Sequence, residues 1–288
     1  MFKVYLNGRL QPLAEASIAP TDTGLLLGTG LFETLRAYDR FVFRLEDHLA
    51  RLFASAERLE IRIDESPAEI AEALAATIRE NGLGDARCRI TVTGGPLAGP
   101  HAEGPPRPTC LVVAGEMTPY DDALYARGMT VTLSDVRVNH TDPTVQHKTT
   151  SYLANMLILR DAHAKGAQEA LRLNGPGRLA EGCISNVFVV LDGHLVTPPV
   201  TEGCLPGIAR KVVLELAGEA GIECVEQPVP GKDVLRAEEM FLTNSIMEVM
   251  PVCRIERHGI AGEEVGPITK RLMSLYRRQV EKEREAAL

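Results

Sequence analysis

The chain has no tryptophan, and aromatic residues make up only 5 % of its 288 residues. An apolar core must therefore be built mainly from aliphatic side chains. The six cysteines, Cys88, Cys110, Cys183, Cys204, Cys224 and Cys253, contain no CxxC pair and no histidine at metal-ligand spacing. This excludes a zinc ribbon, offers no disulfide framework, and points to reduced, mostly buried thiols in a cytoplasm. No metal is expected. No run of lysine and arginine forms a phosphate-tracking stripe, and 31 basic against 39 acidic residues leave a net charge of −8. Nucleic acid is not an expected partner. No apolar stretch is long enough to span a bilayer, so no membrane association is expected. The opening MFKVYLNGRL has neither a signal-peptide core nor an arginine-rich transit character. Internal repeats and low-complexity segments are missing too.

What remains is an ordinary globular composition, 45 % hydrophobic and 24 % charged, long enough for one large domain or two modest ones. KVYLNG and GRLQPL read as a hairpin turning at Asn7-Gly8. After the Gly-rich GLLLGTG, the segments FETLRAY and FVFRL read as strands around Asp39-Arg40. From Leu45 the period becomes helical, and PAEIAEALAATIRENG forms a second helix. A strand over 87–93, a Gly- and Pro-rich loop over 94–108 and the strand TCLVVAGEM follow. Composition turns to Pro, Tyr and Asp near 118–122. This divides the chain into residues 1–118, a linker 119–123 and residues 124–288. Strands and helices alternate in the second part, so the fold class is α+β or mixed α/β with two domains.

Five segments carry residues capable of chemistry. In VQHKTTSYL, Lys148 precedes Thr149, Thr150 and Ser151, all good N-cap types. A helix starting there would turn its positive end toward the amine and favour the neutral form that Schiff-base chemistry needs. An apolar stripe of Tyr152, Leu153, Met156, Leu157 and Leu159 follows. In LAEGCISNVFVV, Glu181 sits among small residues, as is common where a flat ligand approaches backbone. A carboxylate under a pyridine ring would keep its nitrogen protonated. In CLPGIARK, Pro206-Gly207 before a helix aims backbone N–H groups at an anion. Thr243, Asn244 and Ser245 form a polar knot in FLTNSIMEVMPV. Arg51, in RLEDHLARL, has the geometry of a phosphate clamp.

Taken together, GTGLFETLRAY, FRLEDHLARL, QHKTTSYL, AEGCISNVF, LPGIAR and FLTNSIMEVMPV, in this order, resemble the fold-type IV pyridoxal-phosphate enzymes, the class IV aminotransferase family. That family includes branched-chain and D-amino-acid aminotransferases, (R)-selective amine transaminases and 4-amino-4-deoxychorismate lyases. The resemblance covers nearly the whole chain. It implies pyridoxal 5'-phosphate as cofactor, held between a smaller N-terminal domain and a larger C-terminal one. It implies Lys148 as the Schiff-base lysine, Glu181 as partner of the ring nitrogen, and Tyr152 as the phenol on the ring oxygen. Arg51, Gly207, Ile208, Ala209, Asn244 and Ser245 would hold the phosphate, and Leu205 would pack on the ring. A homodimer is implied as well.

The expected reaction is transfer of an amino group from an amino acid or primary amine to a 2-oxo acid. The alternative is aminodeoxychorismate cleavage to pyruvate and 4-aminobenzoate, and a third reading is a non-catalytic cofactor-binding protein. The Arg-x-His carboxylate trap of D-amino-acid aminotransferases has no counterpart in 94–108. Strand alternation puts Phe32, Thr34 and Arg36 on one face of FETLRAY. It likewise puts Arg87, Arg89, Thr91 and Thr93 opposite Cys88, Ile90 and Val92. Phe32, Arg36 and Arg89 are thus candidate substrate residues, with Arg36 or Arg89 on a carboxylate.

Overall fold

A computed structural model describes residues 1–97 and 107–287. Most of the 94–108 loop therefore lies outside the described residues, and with it the passage that lacks an Arg-x-His pair. The chain forms two compact units. One comprises Met1–Thr118 with His147–Ser151 and the C-terminal residues from Arg284; the other comprises Pro119–Gln146 and Tyr152–Glu283.

The first unit contains β1 (Lys3–Leu6), β2 (Arg9–Pro12), α1 (Thr23–Leu27), β3 (Gly30–Tyr38), β4 (Phe41–Val42), α2 (Leu45–Arg58), α3 (Pro67–Glu80), β5 (Ala86–Thr93) and β6 (Thr109–Glu116). Its six strands run in the order β2-β1-β6-β5-β3-β4. Asn7 and Gly8 turn with φ of 48° and 85°, and Asp39 and Arg40 with 48° and 70°, as tight hairpins between twisted strands require. The second strand of FVFRL is shorter than its composition suggests: Arg44, at φ 54°, turns the chain into α2. Along β5, Cys88, Ile90 and Val92 are fully buried while Arg87 and Arg89 are exposed. These core residues meet Leu49 and Leu52 of α2 and Ile70, Leu74 and Ile78 of α3 in one cluster. Ser66 caps α3 in a reciprocal capping box with Glu69.

The second unit contains α4 (Asp122–Arg127), β7 (Met129–Leu133), α5 (Leu153–Ala164), β8 (Glu169–Leu173), β9 (Leu179–Gly182), β10 (Asn186–Leu191), β11 (His194–Thr197), α6 (Ile208–Glu219), β12 (Cys224–Glu226), β13 (Glu239–Asn244), β14 (Glu248–Ile255), β15 (His258–Gly259) and α7 (Pro267–Ala286). The strands run β12-β11-β10-β13-β14-β7-β8-β9, with β15 on β14. One sheet face packs Met129, Leu171, Val187, Val189, Met240, Leu242 and Met250 into a core. On β10 and β13, Phe188 stacks on Phe241 at 4.9 Å. Glu239 caps α7, accepting from the N–H groups of Ile268 and Thr269 and from the Thr269 hydroxyl.

The segment after Lys148 departs from the sequence expectation. The helix starts at Leu153 with Tyr152 as N-cap and no side-chain cap. Residues 148–150 are instead extended along β3: Phe32 N–H donates to the Lys148 carbonyl at 2.9 Å, and Thr150 N–H to the Gly30 carbonyl at 2.8 Å. The hydroxyls of Thr150 and Ser151 donate to the Gly28 carbonyl. Cap-type residues serve equally well as turn anchors, and here a strand edge claims them. Only Ile158 and Ala162 of α5 are buried, while Leu153, Met156 and Leu157 are 72 %, 46 % and 51 % exposed.

Replacing Ser66 by Ala removes the hydroxyl that accepts the Glu69 N–H and leaves only the backbone half of the α3 box. It should cost about 1 kcal/mol, read as a lower urea midpoint with an unchanged slope.

Candidate active site

Lys148, Phe32, Arg36, Arg51 and Arg89 belong to the first unit; the other candidates belong to the second. Strand β3 organises the first group through alternation. Phe32 turns to the face shared with Thr34 and Arg36, and Lys148 Nζ lies 4.6 Å from the Phe32 ring centroid. Arg89, on the neighbouring β5, places its Cζ 3.7 Å from the same centroid, close enough for cation–π attraction. Its Nε donates to Thr91 Oγ1 at 3.1 Å. Arg36 stacks over Tyr38 at 4.4 Å.

The other face of β3 carries Leu31, Leu35 and Ala37 into the core, and among them Glu33, 1 % exposed. Its carboxylate accepts Arg51 Nε at 2.9 Å and Arg51 Nη2 at 2.5 Å. His48 Nδ1 lies 2.7 Å from Glu33 Oε2; a carboxylate only accepts, so Nδ1 carries the proton. Burial alone would raise the Glu33 carboxyl, but the Arg51 guanidinium and His48 outweigh it and pull it down to about 2. Burial pushes the His48 imidazole down, only partly offset by Glu33.

In the second group, Glu181 on β9 accepts the Leu205 N–H at 2.9 Å. Asn186 donates to the Leu205 carbonyl at 2.8 Å, so Leu205 is held through both its N–H and its carbonyl. Gly207 is the N-cap of α6 and supplies no side-chain acceptor. A Cβ there would collide with Asn186 Oδ1, so glycine is the residue that lets the helix start so near β10. On the sheet face below, Thr243 stands opposite Asn186 in register. Its hydroxyl, in a residue 1 % exposed, has no hydrogen-bond partner among the described residues. An N-terminus without a side-chain cap, with Ile208 and Ala209 opening it, suits an anion.

Asn244 spends its side chain on the chain itself. Its Nδ2 donates to the Ile184 carbonyl, and its Oδ1 accepts from Ile246 and Met247 N–H. It shapes the turn that carries Ser245. Tyr152 Oη donates to the Cys183 carbonyl at 3.2 Å, beside Asn155 Nδ2 at 2.6 Å. Burial, then the charges of Glu181 and Glu169, push the Tyr152 phenol up, so it stays a donor.

Sequence reading missed Glu33, His48 and Glu169. Glu169, 1 % exposed, opens β8 and folds the turn after β9. Its carboxylate accepts the N–H groups of Ala170, Cys183 and Ile184 and the Ser185 hydroxyl. The missed signal was phase: Glu33 occupies the apolar phase of an alternating strand, with His48 and Arg51 three apart on the adjacent helix. Among the described residues no acidic, histidine and cysteine cluster could hold a metal.

The family model for amino-transferase class IV matches residues 30–255. A Methanocaldococcus jannaschii protein, described provisionally as a branched-chain-amino-acid aminotransferase, is 38 % identical over 96 % of this chain and 95 % of its own. The Bacillus subtilis aminodeoxychorismate lyase is 31 % identical over 96 % of this chain and 94 % of its own. Among solved structures, the branched-chain aminotransferase of the thermophilic archaeon Thermoproteus uzoniensis with norvaline is similar at a TM-score of 0.88 and 32 % identity. It matches 96 % of this chain and 94 % of that one.

Two outcomes are expected. The folded Glu33 carboxyl titrates near 2 against 4.5 unperturbed, so it binds no proton where the unfolded one does. Its stabilisation, about 3 kcal/mol, is complete above about pH 4.5 and is lost as pH falls toward about 2. Denaturant titrations over that range should show this slope flattened in Glu33→Gln. Glu169→Gln turns an amide NH2 toward buried N–H donors and should cost about 1–3 kcal/mol, read as a lower thermal midpoint.

Proposed function

The chain belongs to the class IV aminotransferase family, whose cofactor is pyridoxal 5'-phosphate, and on that premise we propose that it moves an amino group from an amino acid or primary amine to a 2-oxo acid, with Lys148 as the reactive amine. The observation that carries this reading is the Lys148 amine, held by β3 through its own carbonyl and set against the Phe32 ring. The chain also fits the cofactor's phosphate. The α6 N-terminus has no side-chain cap, Gly207 leaves no room for a Cβ, and the buried Thr243 hydroxyl lacks a partner among the described residues.

When bound, the cofactor supplies an aldehyde for a lysine amine and a ring that takes up an electron pair. Lys148 Nζ would be the amine that holds it and the base that takes the substrate Cα proton and returns it. Glu181 would hold the proton on the ring nitrogen, with Leu205 N–H keeping its carboxylate oriented. Tyr152, a phenol through the working pH range, would give up its bond to the Cys183 carbonyl and donate its one O–H to the ring oxygen. As the family resemblance implies, Arg51, Gly207, Ile208, Ala209 and Ser245 would hold the phosphate, with Asn244 shaping the Ser245 turn, and Leu205 would pack on the ring. Phe32 bounds the substrate space, and Arg89 or Arg36 takes a substrate carboxylate.

We read the protein as a homodimer, because Leu153, Met156 and Leu157 present an apolar face on α5. We read it as cytoplasmic, because its six free cysteines suit a reducing compartment. Aminodeoxychorismate lyase is the second reading, favoured by a relative of that name that matches over nearly the whole chain.

The test is a spectroscopic half-reaction. Cofactor-loaded protein is titrated with L-amino acids, D-amino acids and chiral amines, with leucine, isoleucine and valine first, as the names of the relatives direct. The expected result is stoichiometric conversion to the pyridoxamine form by at least one donor. No conversion by any donor replaces the transaminase with the lyase, which must then release pyruvate from aminodeoxychorismate. Lys148→Ala should lower either turnover by several powers of ten; retained turnover would remove Lys148 from the chemistry.

A further inference from the structure

We propose that Glu33 is a positioning residue that fixes the plane of the Arg51 guanidinium, and so sets the preference for a phosphate-bearing aldehyde over the same aldehyde without phosphate. The proposal rests on the assignment of Lys148 and Arg51 above. Its basis is a single peptide unit of β3. Phe32 N–H holds the Lys148 carbonyl at 2.9 Å, and the Phe32 ring lies 4.6 Å from Nζ. The next residue, Glu33, turns to the other face and grips Arg51 through Nε and Nη2.

Two parallel N–H···O contacts fix the plane of a guanidinium as one contact cannot. Glu33 is itself immobile: it is 1 % exposed, lies opposite Ile90 in the sheet register, and receives the His48 Nδ1 proton at 2.7 Å. Amine and guanidinium are therefore referenced to adjacent residues of one strand. All these groups lie in the first unit.

Charge and position predict opposite signs. Glu33 is negative, so removing its charge should by Coulomb's law tighten binding of a phosphate at Arg51. If Glu33 acts by orienting Arg51, removing it must weaken phosphate binding in spite of that gain. Pyridoxal, which has the aldehyde but no phosphate, is the internal control: it reports Lys148 and the fold without Arg51.

The full-length apoprotein is titrated with pyridoxal 5'-phosphate and with pyridoxal, and the affinity ratio is followed by absorbance. Glu33→Gln should lower the ratio at least tenfold, with pyridoxal affinity kept within twofold. A ratio unchanged or raised in Glu33→Gln, while Arg51→Gln collapses it, overturns the proposal alone. An unchanged ratio in Arg51→Gln overturns it together with the assignment of Arg51. Where Glu33→Gln loses both ligands alike, the decision passes to His48. His48→Leu, which removes the donor on Glu33, should lower the ratio at least threefold, and His48→Asn, which restores a donor near the Nδ1 position, should recover it. An unchanged ratio in His48→Leu, or none recovered in His48→Asn, overturns the proposal.

Discussion

The backbone pairing of residues 148–150 with the start of β3 is the constraint that sets the Lys148 amine against the Phe32 ring. Two hydrogen bonds and the Leu31–Thr149 bridge make it up. Each bond contributes only about 1 kcal/mol to stability. Their consequence is positional: they convert a stretch rich in helix-capping side chains into an extra extended segment, and they carry Lys148 to Phe32. Gly30 permits this approach, since a Cβ there would strike the Val92 carbonyl and crowd Thr150. A helix beginning at Thr149 would break the pairing. The helix starts at Leu153, five residues after Lys148, so the lysine does not immediately precede a helix start in sequence. The surroundings of the amine are set by strand neighbours instead.

Each unit also holds a buried carboxylate that orders the segments around its candidate site residues. Glu33 gathers His48 and Arg51; Glu169 gathers three backbone N–H groups and a hydroxyl. A buried charge with good partners is a weak source of net stability, because desolvation consumes most of the attraction. What it enforces is geometry. Removing one partner leaves a charge stranded, so alternative arrangements of the loop or the arginine are penalised heavily. Through Glu169 the Cys183 carbonyl faces Tyr152 and Asn155, and the Ile184 carbonyl faces Asn244. Through Glu33 a flexible arginine becomes a fixed one.

Much of this architecture was legible in the residues. Asn7-Gly8 announced its hairpin because Asn and Gly accept the positive φ values of its turn, whereas the Asp39-Arg40 turn was read from the strand runs on either side of it. Alternation along β5 separated Cys88, Ile90 and Val92 from Arg87 and Arg89, and the structure keeps that division. Pro206-Gly207 placed the start of α6. The start of α5 was not legible, because threonine and serine hydroxyls bond a distant carbonyl as readily as their own helix. The apolar stripe of α5 was real as a pattern, yet its burial depends on what covers Leu153, Met156 and Leu157, and periodicity says nothing of that. Buried acids were invisible for a related reason: a pattern of apolar and polar letters scores Glu33 as a break in the core, when its partners lie on another element.

The same reasoning explains why the polar knot at Thr243, Asn244 and Ser245 divides as it does. A polar turn inside a fold cannot leave its own backbone unsatisfied. Asn244 settles that by accepting from Ile246 and Met247 and donating to Ile184, so it works inside the fold. Thr243, one residue earlier in the strand, has the complementary condition: buried, paired opposite Asn186, and with no partner for its hydroxyl among the described residues. A buried hydroxyl without a partner costs stability in the empty protein. Such a cost is tolerable where a ligand later removes it, and it then adds to the preference for the loaded state.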